Sequence, residues 1–70
     1  MKRKIMIIGT GGIGSFLIPL LDKTGLYKIT AFDPDIVETK NLTYQNYEQD
    51  EVEDKKVYAM KNRYKSVVKA

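Results

Sequence analysis

Lys4-Ile5-Met6-Ile7-Ile8, followed at once by Gly9-Thr10-Gly11-Gly12-Ile13-Gly14, is the stretch on which the fold turns. The KIMII run is short, almost continuously apolar and rich in β-branched side chains, the pattern of a parallel strand buried on both faces. Gly9 stops it and the chain turns sharply. From Gly12 to Lys23 the apolar residues Ile13, Phe16, Leu17, Ile18, Leu20 and Leu21 fit a helix, with Thr24-Gly25 as its stop signal. Apolar positions lie nearly all round this helix, so it needs cover on more than one side. Pro19 lacks a donor and crowds the preceding turn, which predicts a kink or an early helix end near Ile18.

Tyr27 to Phe32 (YKITAF) is β-branched and aromatic and runs into Asp33-Pro34, a second strand ending in a turn. Strand, helix and strand make a βαβ unit of about 30 residues, right-handed with parallel strands near 4–9 and 28–33. The fold class expected is α/β: a Rossmann-like βαβ unit with parallel strands, part of a larger doubly wound sheet. Gly9, Gly11 and Gly14 match G-x-G-x-x-G, whose physical requirements are specific. One glycine makes the tight turn, the next lets backbone approach a phosphate, and the third lets helix pack on strand, with the phosphate at the helix N-terminus. Alone the motif is weak. Here it follows a strand, opens a helix and is answered by Asp33, nineteen residues after Gly14, where a carboxylate can accept hydrogen bonds from ribose hydroxyls. The plain alternatives are a structural turn without ligand and a turn-forming Asp before Pro34. Asp35 could share Mg²⁺ work with Asp33 or simply cap the loop.

Asp35 to Tyr47 is polar and irregular, with room for one short helical turn, and long loops after parallel strands tend to carry function. Asp50 followed by Glu53 resembles a capping box, and Val52, Val57, Ala59, Met60, Tyr64, Val67 and Val68 predict a loosely amphipathic helix from about 51 to 66, toward the chain end. Eight of the nine acids fall between Asp33 and Asp54 and six of the twelve bases between Lys55 and Lys69. That split suits a helix with acids in its first turn and bases in its last better than a nucleic-acid or membrane patch. The chain has 70 residues, no cysteine and no histidine, which leaves neither disulfides nor a metal to staple a small core. Stability is therefore expected from a larger chain or a homo-oligomer. No run approaches the ~20 apolar residues of a membrane span, no secretory leader is evident, and the expected location is cytoplasmic.

Taken together, Ile8 to Ser15 (IGTGGIGS), Asp33-Pro34-Asp35-Ile36-Val37-Glu38, Asn41-Leu42-Thr43-Tyr44-Gln45 and Lys56 resemble the opening of the ThiF/MoeB/HesA group, the adenylating domains of ubiquitin-activating-type enzymes. The shared pattern is G-x-G-G-x-G-S, then D-x-D-x-V-x-x-x-N-L-x-R-Q, then a lysine some dozen residues on. It spans Ile5 to about Arg63 and is far more specific than the glycines alone. The resemblance implies an enzyme that binds ATP and Mg²⁺ and lets the C-terminal carboxylate of a small ubiquitin-like or sulfur-carrier protein attack the α-phosphate, giving an acyl-adenylate and pyrophosphate. It places Gly9, Gly11, Gly12 and Gly14 at the phosphate turn, Asp33 at ribose, Asn41 and Gln45 in the phosphate region, and Lys56 on phosphate. Lys56 is the residue to which catalysis is assigned, since a cation there stabilises charge developing during in-line attack.

The family arginine of N-L-x-R-Q falls on Tyr44, which has neither positive charge nor a bidentate fork. Losing such a group costs ~2.7 to 4 kcal/mol of transition-state stabilisation, with loss of an oxyanion donor as the guide. The family's later metal-binding aspartate, its Cys-x-x-Cys pairs and any catalytic cysteine are not among these residues. The chain is accordingly expected to be the N-terminal half of a ThiF-type nucleotide-binding domain that does not complete the reaction unaided. Two other functions stay open: the nucleotide half of an NAD(P)-dependent oxidoreductase, disfavoured by Asn41-Leu42 and Lys56, and a non-catalytic nucleotide-binding scaffold, kept open by Tyr44. Lys56 itself has a bland alternative as a solvated lysine beside Lys55.

Overall fold

The structure is a computed structural model and describes residues 2–69. Strand β1 (Arg3–Ile8), helix α1 (Gly14–Thr24), strand β2 (Tyr27–Phe32), helix α2 (Lys56–Arg63) and strand β3 (Val67–Lys69) follow in that order, with 3-10 turns at Thr39–Thr43 and Gln49–Glu51. The three strands form one parallel sheet in the order β1-β2-β3. β1 and β2 pair without a slip from Arg3↔Tyr27 to Ile8↔Phe32. The expected βαβ unit is therefore present, and the class is Rossmann-like α/β.

Both helices pack on the same sheet face, as two successive crossovers of one hand in one direction require. Ile7, Ile29, Ala31 and Val67 from the strands meet Ile18 of α1 and Val57, Ala59 and Met60 of α2 in one buried cluster. The opposite face is bare. Lys4, Met6, Ile8, Lys28, Phe32 and Val68 are exposed there, Ile8 at 81%. The outer side of α1 is uncovered as well, with Phe16, Leu17 and Leu20 exposed and Ile13 before them at 85%. β1 and β2 thus meet the both-faces expectation on one side only.

Three expectations need correction. Pro19 does not end α1, which continues to Thr24, where Gly25 adopts φ +67° and donates its N–H to Asp22 O at 3.1 Å. The carbonyl that Pro19 leaves without its usual i+4 donor is that of Ser15, and the Asn46 side-chain amide donates to it at 2.9 Å. The second helix begins at Lys56 and not near Asp50, because Glu53 takes φ +79° and the chain there turns against Val37 (Glu53 N to Val37 O 2.8 Å, Val37 N to Asp54 O 2.8 Å). The capping box forms instead at Glu48 and Glu51, on the 3-10 turn. Its acids precede α2 without opening it, whereas Lys61 and Arg63 do occupy the last turn. Finally, the helix stops at Arg63 and Val67–Lys69 is a strand. Asp22 Oδ1 captures the Ser66 N–H at 3.0 Å while Ser66 O accepts from Ile29 N at 2.7 Å, which draws the chain out beside β2.

Candidate functional site

The site residues gather at the carboxyl ends of β1 and β2, where parallel α/β sheets carry their ligands. Gly9 leaves β1 with φ +91°, donating its N–H to Phe32 O at 2.7 Å. A left-handed φ of this kind suits glycine and few other residues. Gly14 is required for a different reason: a Cβ there would collide with the Gly9 carbonyl oxygen. Helix and strand approach as closely at this point as the motif demands. Gly11 faces the Gln45 side chain, and Gly12 is exposed with only the Tyr44 carbonyl nearby.

Between these glycines the turn leaves donors unused. Thr10 N–H is taken by Asp33, and helical bonding resumes only at Ser15 N, which donates to Gly11 O at 3.0 Å. Among the described residues the N–H groups of Gly11, Gly12, Ile13 and Gly14 have no acceptor. Four free amides at the start of a helix form a site suited to an anion.

Asp33 follows β2 and is fixed by the same turn. Its Oδ2 accepts from Thr10 N at 2.7 Å and Thr10 Oγ1 at 3.1 Å, and its Oδ1 accepts from Asp35 N at 2.9 Å. Partial burial pulls its pKa upward, but the Thr10 and Asp35 hydrogen bonds and the charge of Lys56 outweigh that and hold it below the usual carboxylate value. Asp33 is thus an ionised acceptor at neutral pH, oriented before any ligand arrives. A cleft of about 400 Å³ opens beside it, lined by Ile8, Phe32, Pro34, Val57 and Tyr58 among others.

Lys56 opens α2 and is 6% exposed, so it is not a solvated lysine. Its N–H donates to Asp35 O at 3.0 Å, and Nζ stands 3.9 Å from Asp35 Oδ2. Among the described residues the ammonium has no acceptor at hydrogen-bond distance, which is unusual for a buried lysine. Asp35 is exposed and serves as its counter-ion. Asn41 is buried and braces the loop, its Oδ1 accepting from Glu38 N at 2.8 Å. Gln45 does reach the glycine turn, with Oε1 buried and unpartnered. Tyr44 lies exposed at the rim. No group of three potential metal ligands occurs among the described residues. The donor set therefore makes no protein cage for Mg²⁺, an ion that commonly travels on phosphates with only one or two carboxylates.

Residues 1–70 match the model of the ThiF family over the whole chain. The chain belongs to the ThiF family. Within it, the chain is similar to the "Adenylyltransferase and sulfurtransferase UBA4" of Candida albicans, 43% identical over 42 residues, covering 60% of the chain and 10% of that protein. The same-named protein of Candida glabrata is 43% identical over 44 residues, covering 63% of the chain and again 10% of the relative. The chain thus spans about a tenth of the length of these relatives. No solved structure matches it.

Sequence reasoning passed over the residues that hold this ThiF site together. Thr10 was only a spacer in the glycine pattern, yet it is fully buried and binds Asp33 through both N–H and hydroxyl. Asn46 bonds Ser15 twice and Tyr64 Oη once, and its carbonyl accepts from Arg63 Nη2. Arg63 also pairs with Glu51 at 3.0 Å.

Proposed function

We propose that the chain is the ATP-binding portion of an adenylating enzyme, one that forms an acyl-adenylate on the C-terminus of a small ubiquitin-like or sulfur-carrier protein. The observation that carries this reading is the buried Lys56 side chain, whose ammonium stands 3.9 Å from Asp35 Oδ2 with no closer acceptor among the described residues, on the site that holds Asp33 and the free amides. A dinucleotide has only a pyrophosphate, which the glycine turn already accommodates, whereas a triphosphate supplies further oxygens for a lysine. Asp33 binds ribose, the adjoining cleft takes the base, and Gly11, Gly12 and Gly14 face phosphate with Gln45 and Asn41 alongside. Asp35 is the carboxylate that would hold Mg²⁺ brought in with the triphosphate, an ion that would neutralise phosphate charge there. Lys56 stabilises negative charge on the phosphates as the carboxylate attacks. The family and its adenylyltransferase relatives support this reading.

The proposed enzyme draws on further protein, from a longer chain or a second subunit, because one sheet face of the described residues is open and Tyr44 supplies no cation. No helix among the described residues is long and apolar enough to cross a membrane. Pyrophosphate exchange, measured on the longest native chain that carries these residues together with its carrier, tests the activity. Carrier-dependent exchange is expected. Tight ATP binding without exchange would favour a nucleotide-binding scaffold, the reading that Tyr44 in place of the family arginine favours.

A further inference from the structure

We infer that Tyr47 is a positioning residue for the glycine turn: by binding the Thr10 carbonyl it keeps the Gly11 and Gly14 amides free for an anionic ligand. Tyr47 is 5% exposed, and its hydroxyl donates to Thr10 O across 37 residues of sequence. Three properties of Thr10 make that contact consequential. In a helix begun one turn earlier, the Thr10 carbonyl would accept the Gly14 N–H. Here the hydroxyl holds that carbonyl, and Gly14 N–H has no partner among the described residues. The Thr10–Gly11 peptide is trans, so a carbonyl directed at Tyr47 turns the Gly11 N–H to the opposite side. The other polar groups of Thr10 are both held by Asp33. The residue before the free amides is therefore clamped from two directions, one clamp being the ribose-binding candidate and the other Tyr47.

The hydroxyl is suited to permanent donation. Burial, chiefly, pushes its pKa up to about 12, so it stays protonated at every pH at which the protein would work. Phenylalanine would fill the same core space and could not hold the carbonyl.

The role rests on the nucleotide reading above for its ligand, but its geometry can be measured without one. In the free wild-type chain, hydrogen exchange followed by NMR should find the Gly11 and Gly14 amides unprotected and the Thr10 amide protected. A protected Gly14 amide in the wild type would overturn the inference, and this measurement does not depend on any variant folding. Calorimetry then compares the wild type with Tyr47→Phe toward Mg-ATP, inorganic tripolyphosphate and adenosine. Loss of one oriented hydrogen bond should weaken both phosphate ligands about tenfold and leave adenosine within about twofold. Equal weakening of all three ligands, or of none, would contradict a positioning role. Should the wild type bind neither ATP nor adenosine, the nucleotide reading fails by itself. Tyr47 would then stand or fall on Gly14 exchange, slower in Tyr47→Phe if its carbonyl is released and unchanged if the inference is wrong.

Discussion

At the scale of single residues, the turn is defined by atoms that a methyl group or a proton would disturb. Gly14→Ala puts a Cβ against the Gly9 carbonyl, backbone that cannot swing aside, and should destabilise the chain by about 1–3 kcal/mol. Denaturant unfolding measures this, and an unchanged midpoint would mean that helix and strand are further apart than described. Asp33 adds a pH dependence. Its pKa is lower in the folded chain than its ordinary value of 3.8, so its hydrogen bonds stabilise the fold above that value and are lost as pH falls through the lowered pKa. Melting temperature should accordingly drop on acidification below about pH 4 more steeply in the wild type than in Asp33→Asn. Parallel curves for the two proteins would remove Asp33 from the account of acid stability. The glycines and Asp33 were legible in the sequence because their spacing answers a local geometric need. Tyr47, Asn46 and Arg63 were not, since each acts on a partner 17 to 37 residues away and no local pattern signals such contacts.

At the scale of elements, β1, α1 and β2 were readable because periodicity, a glycine turn and a glycine stop all agreed. The segment after Val52 offered no such agreement. Val67 and Val68 continue the helical spacing of Met60 and Tyr64, and no glycine or proline marks the break between them. It is Asp22 and Ile29, far away in sequence, that turn Ser66 to Lys69 into a strand. The false helix start at Asp50 has a similar origin: two acid pairs three residues apart compete, and Glu53 is the one bent into the left-handed region. A left-handed conformation costs a non-glycine residue roughly 1–2 kcal/mol, part of which glycine loses again through its freer unfolded chain. Glu53→Gly should therefore stabilise by about 0.5–1 kcal/mol, net of those effects. A lower denaturation midpoint in the variant would show that the Glu53 side chain contributes more than its backbone costs. Asn46→Ala should lower the midpoint, because it strips the Ser15 carbonyl of the donor that compensates for Pro19, a loss of about 1–3 kcal/mol.

At the scale of the whole molecule, a parallel sheet covered on one face leaves Met6, Ile8, Phe32 and Val68 in water beside Lys4, Lys28 and Lys69. Parallel sheets are ordinarily covered on both faces, and an apolar surface of this kind marks a place for another element or subunit. Sedimentation of the chain should show self-association that rises with concentration, and Ile8→Lys, on the bare face, should reduce it. A monodisperse monomer of 8.0 kDa with a sharply cooperative melt would contradict the expectation. The residues of the proposed site lie together at the carboxyl ends of β1 and β2, so ligand choice can be measured directly. Calorimetric titration of the wild type, Asp33→Ala and Lys56→Ala with Mg-ATP, AMP and NAD is the most direct test of the proposed adenylating site. The account predicts that the wild type prefers ATP to NAD, that Asp33→Ala weakens ATP, and that Lys56→Ala weakens ATP about tenfold or more while AMP loses less. Tighter binding of NAD than of ATP, or a Lys56→Ala variant that binds both ATP and AMP as the wild type does, would contradict it.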